Sequence, residues 1–217
     1  MSLIHNANVV RDGLVLYLDA ANPKSYPGSG ATLFDLSGNN NNGSIINNPV
    51  LSGGIINLSG TNDYINTNLT INYSALSLCC WVKNSTSTQG GIITKGPVNG
   101  TEYGICFGYS SPVLLVCRSG SAGGQITMTW QGTPYATGWH YVCLTIGNGL
   151  KTLYIDDIQI SQNSGSTPNA VESFQIGFHG STFYFDGQLA LPKIYNRVLS
   201  ATEIAQNFEA TRGRYSI

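Results

Sequence analysis

The sequence predicts an all-β fold, a sandwich or barrel closed by one short C-terminal helix, and three observations carry that expectation. Residues 14–195 read as short alternating apolar runs punctuated by Gly, Asn, Ser and Pro every 8 to 12 residues or so. Helical periodicity is confined to 200–210. Tyr, Phe and Trp are spread from end to end of a chain that is 41% hydrophobic, enough to bury a sizeable core. At 217 residues such a sandwich is one unit, read here as an arm over 1–12 followed by a domain over 13–217.

The first strand falls in GLVLYLDA, where strand alternation sets Leu14, Leu16 and Leu18 against Val15, Tyr17 and Asp19. The stretch 39–42, four Asn residues between Gly38 and Gly43, reads as a turn-rich loop with no capacity to form core. Residues 76–83 alternate Leu76, Leu78, Cys80, Val82 with Ser77, Cys79, Trp81, Lys83, and the apolar character of both rows predicts a central strand. Segments 91–94, 102–107, 113–117 and 126–130 continue the pattern. Runs 139–146 and 150–156 join through Gly147-Asn148-Gly149, residues that tolerate the positive φ of a tight hairpin. Ser200-x-x-Glu203 fits a capping box, and Ala201, Ile204, Ala205 and Phe208 repeat at helical spacing. Trp81 and Trp139 are expected to fill the space between two sheets, and Trp130, in line with Ile126 and Met128, to be core as well.

Composition excludes several functions. Charged residues are only 10% of the chain, ten Lys plus Arg against eleven Asp plus Glu without a cluster of either, so the basic stripe needed for phosphate backbones is missing and nucleic acid is excluded as a partner. No stretch reaches the length of a membrane span and none at the start reads as a secretion signal. The five cysteines, Cys79, Cys80, Cys106, Cys117 and Cys143, are odd in number, form no Cys-x-x-Cys and lie in hydrophobic runs, which predicts reduced, buried thiols in a reducing compartment.

The motifs GLVLYLDAANPKSYPG, FDLSGNNNNGSI, GTNDYI, SLCCWVK, GWHYVCLTI, LYIDD and FDGQLALPKIYNRVLSATEIAQNF occur in an order and spacing that resembles the laminin-G-like jelly-roll family of the concanavalin A-like lectin/glucanase superfamily. That resemblance implies a two-sheet antiparallel jelly-roll sandwich. Asp157 stands where the family pattern has Gly, at a turn that Asp can occupy in a left-handed conformation, and Asp186-Gly187 reads as a turn marker. Glycoside hydrolases of the superfamily need two spaced carboxylates, whereas this chain has only Glu102, Glu172, Glu203 and Glu209, none with a carboxylate neighbour on a strand. No Gly-x-Ser-x-Gly elbow occurs, and His140 reads as a structural histidine. The expectation is therefore a protein that is not an enzyme and carries no cofactor. The resemblance also raises a calcium site on the rim loops 95–101 and 177–182, but these contain no Asp or Glu.

The same rim loops and their neighbours supply the candidate ligand-binding set: Lys95, Asn99, Tyr103, Tyr109, His179 and Tyr184, combining aromatic faces with hydrogen-bonding groups. Resemblance to laminin-G-like virion proteins of tailed bacteriophages places first a non-enzymatic decoration protein on a virion assembled in bacterial cytoplasm. Its partners are then other virion proteins or copies of itself. The alternative is a carbohydrate-binding adhesion module that engages a surface glycan.

Overall fold

The strands the alternation predicts form two sheets in a computed structural model, which describes residues 8–70, 72–84, 90–95, 101–107, 114–121, 128–131, 138–164, 172–180 and 182–217. Of residues 84, 101–107, 114–121 and 128–131 the backbone alone is described. In chain order the elements are β1 (Leu14–Tyr17), β2 (Thr32–Leu33), β3 (Gly43–Ile46), β4 (Val50–Ser52), β5 (Ile55–Ser59), β6 (Tyr64–Thr67) and β7 (Leu76–Asn84). They continue with β8 (Gly91–Lys95), β9 (Thr101–Phe107), β10 (Leu114–Ser121), β11 (Met128–Gln131), β12 (His140–Gly147), β13 (Leu150–Ile155) and β14 (Ile158–Ser164). The last are β15 (Phe174–Ile176), β16 (Phe178–His179), β17 (Phe183–Tyr184), β18 (Asp186–Tyr195) and the helix α1 (Ala201–Glu209).

One sheet runs β14-β13-β12-β7-β18-β5-β4, with β1 beside the second half of β18; the other runs β11-β10-β9-β8-β15-β6-β3-β2. Neighbouring strands in both are antiparallel. The two sheets face each other across an aliphatic core in which Leu78, Cys80, Val142 and Leu189 of the first meet Ile65 and Phe174 of the second. A two-strand ribbon of β16 and β17 stands apart.

The first sheet is apolar on both faces, as the double row in 76–83 predicts for its central strand β7. Its outer face carries Cys79, Trp81, Tyr141 and Tyr195, roofed by α1 and the C-terminal Tyr215. Trp81 is therefore not between the sheets, as expected from sequence, but between a sheet and the helix. Its ring stacks on Tyr215 at 4.3 Å and on Phe208 at 5.7 Å, and its indole N–H donates to Thr211 Oγ1. Trp139 is half-buried in the same layer, 4.8 Å from Tyr215. The side chain of Trp130 lies outside the described residues. Amphipathic α1 supplies the roof because Ser200 and Glu203 form the predicted reciprocal capping box, and Arg197 grips Glu203 through two nitrogens.

Both predicted tight turns form. Asn148 and Gly149 have φ of 53° and 74° between β12 and β13, and Asp156 and Asp157 have φ of 48° and 67° between β13 and β14. Strand β1 departs from simple alternation. A bulge between Leu14 and Leu16 sends Leu14 outward with Tyr17 and leaves Val15 with Leu16 and Leu18 in the inner core.

The Asn-rich loop, read from sequence as turn-rich and unable to form core, serves β1. Asn39 Nδ2 donates to Leu14 O and Asn41 Nδ2 to Val15 O, while Tyr17 N donates to Asp35 Oδ1. Leu36 N completes the row by donating to Tyr17 O. Three side chains and the Leu36 amide thus occupy four backbone groups of β1.

Before Gly13, Val10 is buried and its N–H donates to Asn207 Oδ1 of α1. Cys79, Cys80 and Cys143 are fully buried thiols, with Cys79 Sγ 2.8 Å from Cys143 Sγ; the side chains of Cys106 and Cys117 lie outside the described residues.

Candidate functional site

The outer face of the second sheet is built differently. Antiparallel register sets Ser44, Asn66 and Gln175 in one row across β3, β6 and β15, and Ile46 beside Tyr64 in the next. Paired residues share a face and alternate residues point opposite ways, so with Ile65 and Ile176 in the core this row points outward. Ser44 is exposed, and Asn66, Gln175 and Tyr64 are half-buried.

Beyond Ile176 the chain turns at Gly177, whose φ of 86° and whose contact with Leu58 leave no room for a Cβ. The ribbon that follows lays Phe178 4.9 Å from Tyr64 and Tyr184 4.7 Å from Phe178, ring centre to ring centre. Thr94 Oγ1 donates to Phe178 O and fixes the ribbon to β8. The result is an aromatic ledge of Tyr64, Phe178 and Tyr184 beside the amides of Asn66 and Gln175.

Asn66 Oδ1 accepts from Ser173 Oγ at 2.8 Å, and its amide N–H groups have no partner among the described residues. The same holds for the amide of Gln175 and the hydroxyls of Tyr64 and Tyr184. Phe178 is buried and backs the ledge, while the half-buried Tyr64 and Tyr184 offer apolar area beside donors and acceptors, a combination that suits a sugar ring better than an ion.

Of the sequence-predicted residues whose side chains are described, Lys95 lies apart from His179 and Tyr184. Tyr184 belongs to the ledge. His179, on the same ribbon, is only 2% exposed and turns its ring toward Phe183 at 6.0 Å. Lys95 sits at the far end of β8, where it pairs with Phe174, whereas the Gly91 end abuts Phe178. Four residues of strand separate those ends by about 13 Å.

Lys95 is 1% exposed, its Nζ donating to Thr70 O and Asn72 Oδ1 above the Phe174 ring. Burial lowers its amine to about 8 despite the nearby Glu172 carboxylate. It was expected on a solvated rim; its long stem instead fills sheet-end space while the amine satisfies loop oxygens. Tyr103 lies on β9 opposite Lys95, its side chain outside the described residues, as are Asn99 and Tyr109. The residues that sequence reasoning missed are Tyr64, Asn66, Gln175 and Phe178. Alternation in DYINT and SFQI was the signal for the outward row, but only the register brings it against the ribbon.

Glu203 and Glu209 lie on α1, and the side chain of Glu102 lies outside the described residues; burial and the neighbouring charges of Glu209 and Asp156 raise the carboxyl of Asp157. Asp156 accepts from His140 Nδ1 at 2.6 Å and from Tyr141 N at 2.8 Å, clamping the β13–β14 turn. Among the described residues no group of three or more His, Cys, Asp or Glu is placed to hold a metal ion, and no described helix is long and apolar enough to cross a membrane.

A two-sheet antiparallel sandwich with one face roofed by a helix and the other open is a lectin-like jelly roll. The family model described as the concanavalin A-like lectin/glucanases superfamily, Laminin_G_3, matches residues 59–205, more than half of the chain, and the chain belongs to that family. No curated protein matches by sequence.

Among solved structures it is similar to domain 4 of a GH43 extracellular arabinanase from Geobacillus stearothermophilus in complex with arabinotriose. The TM-score is 0.69 at 17% identity, over 89% of this chain and 97% of that one. It is also similar to the binding domain of botulinum neurotoxin DC in complex with SialylT (TM-score 0.67, 15% identity, 92% of this chain and 52% of that one). The same neurotoxin binding domain in complex with rat synaptotagmin II gives a TM-score of 0.67 at 16% identity over 93% and 52%. The chain thus spans nearly all of the arabinanase domain and about half of the toxin binding domains.

Proposed function

We propose that this chain is a non-catalytic carbohydrate-binding module that holds a glycan on the open face of its second sheet. The observation that carries the reading is the ledge of Tyr64, Phe178 and Tyr184 next to the Asn66 amide N–H groups and the Gln175 amide, which have no partner among the described residues. Sugar rings stack their C–H faces on aromatic planes while equatorial hydroxyls take hydrogen bonds from neighbouring amides. Similarity to an arabinotriose-bound domain and to a SialylT-bound toxin domain supports the class of ligand. The ledge residues Tyr64, Asn66, Gln175, Phe178 and Tyr184 include no carboxylate, which favours binding over hydrolysis.

Display on a virion surface, which the sequence resemblance placed first, takes second place here because the neighbours are domains that bind glycans or a protein receptor. The two readings part in one experiment. A glycan array followed by calorimetry on the full chain is expected to give a defined sugar ligand, with affinity falling roughly 2- to 10-fold in Tyr184→Ala and in Tyr64→Ala through lost stacking. Absence of sugar binding together with stable occupancy on purified particles would reverse the order.

A further inference from the structure

A second site of different chemistry lies on the opposite side of the sandwich. In a chain with only ten Lys and Arg residues, three line one crevice of about 450 Å³ between the first-strand loops and the C-terminal turn: Arg11, Lys24 and Arg214, together with Tyr17, Asn22 and Leu36. No Asp or Glu lines it.

The three cations are not equivalent. Arg214 is held by Asp19 through two hydrogen bonds of 3.0 and 2.9 Å, so its charge is neutralised and its role is to shape the wall. Arg11 uses Nη1 on Leu36 O at 3.1 Å and lies 5.7 Å from the centre of the Tyr17 ring; its other N–H donors have no partner among the described residues. Lys24 is exposed and its Nζ is likewise unpartnered there. Asn22 accepts from Lys24 N with Oδ1, which leaves its amide N–H groups for a ligand.

Among the described residues none of the nearby acids forms an ion pair with Arg11 or Lys24: Asp19 pairs with Arg214, and two others have their oxygens engaged. Asp35 accepts from Tyr17 N, Ser37 N, Ser37 Oγ and Asn41 N, and Asp12 is 2.8 Å from Arg197 Nε. The seven residues before Asn8 contain no Asp or Glu. Two cations with no ion-pair partner among the described residues, one a planar fork beside the Tyr17 ring, suit a carboxylate carried on a ring.

We infer that the crevice of Arg11, Lys24, Asn22 and Tyr17 binds the carboxylate of an acidic saccharide, of the uronic or sialic type. The saccharide part rests on the glycan-binding reading above, whereas the oxyanion part rests on the crevice alone. Because the crevice and the ledge are on opposite sides of the sandwich, variants of one leave the other intact.

The test is calorimetry on the full chain with trigalacturonate and sialyllactose as acidic probes, lactose as the neutral one and inorganic phosphate as the bare anion. The acidic sugars are expected to bind more tightly than lactose, to weaken with added salt, and to lose about tenfold in affinity in Arg11→Gln and in Lys24→Gln. Both residues are exposed, so neither change threatens folding, and Tyr184→Ala is expected to leave this binding unchanged. Equal binding of acidic and neutral sugars, or unchanged affinity in both charge variants, overturns the site. Phosphate competing as well as the acidic sugars overturns the saccharide assignment. Loss of acidic-sugar binding in Tyr184→Ala with no effect of Arg11→Gln assigns that binding to the ledge and overturns the crevice, while failure of the ledge reading shows separately, as indifference of neutral-glycan binding to Tyr184→Ala.

Discussion

The two outer faces of this sandwich are made by the same kind of strand yet have opposite fates. On the first sheet the outward row is Cys79, Trp81, Tyr141 and Tyr195, and the chain spends its only described α-helix to cover it. On the second the outward row is Ser44, Asn66 and Gln175 with an aromatic ledge at one end, and among the described residues no helix covers it: Ser44 is exposed and Asn66 and Gln175 are half-buried. Large apolar area left in water is unfavourable unless it is used, so aromatic residues under a roof and aromatic residues in the open signify different things. Trp81 serves stability, and Tyr64 and Tyr184 are the rings the proposed glycan site would use.

The sharpest test of that contrast is Trp81→Ala. It removes a fully buried ring, its two stacking partners and the hydrogen bond to Thr211, and is expected to cost about 3–5 kcal/mol, measured by urea unfolding. A cost near 1 kcal/mol would show that the roof is loosely fitted and the contrast overstated.

Lys193 sharpens the comparison through pH. It is fully buried in the roofed layer, its Nζ 4.9 Å from the Tyr17 ring centre, and burial lowers its amine from 10.5 to about 8. The unfolded chain holds that proton up to about 10.5 while the folded chain releases it near 8, so the unfolded state binds more protons between the two and stability rises with pH across that window. Above it, burial has raised Tyr17 to about 12, the unfolded tyrosine ionises first, and stability falls again. Lys193→Met is expected to add on the order of 2 kcal/mol at pH 7 and to flatten the rise between pH 8 and 10, leaving the share due to Lys95. An unchanged pH profile of unfolding would place the amine in water.

The smallest effect is expected on the open face. Tyr184→Ala leaves a half-buried ledge position and is expected to change stability by no more than about 1 kcal/mol in the same unfolding assay. A loss as large as that of Trp81→Ala would make the ledge part of the core and remove the reason for calling it a site.

Most of the fold is legible in the sequence because its determinants are local. The double apolar row of 76–83, the Gly-Asn-Gly turn and the Ser200/Glu203 box each act within a few residues, and each forms as the pattern predicts. What is not legible depends on pairing between distant segments. Lys95 looks like a loop cation until Thr70 and Asn72 are brought to its amine, and Trp81 looks like inter-sheet core until residues 130 positions later are folded over it. The ledge needs β6, β15 and the β16–β17 ribbon together, so of its aromatic residues only Tyr184 could be chosen from sequence.

The asparagine loop along β1 has one further consequence. A strand whose outer carbonyls and N–H groups are unoccupied is a template on which another copy can add a strand, and from there a fibre can grow. Asn39, Asn41, Asp35 and Leu36 have already taken Leu14 O, Val15 O, Tyr17 N and Tyr17 O, so an incoming strand at β1 must compete for the groups it would bond. Short amide side chains held by their own turns stand in for the missing neighbour, and in a chain with few charges to keep its copies apart this edge is protected by saturation rather than by repulsion.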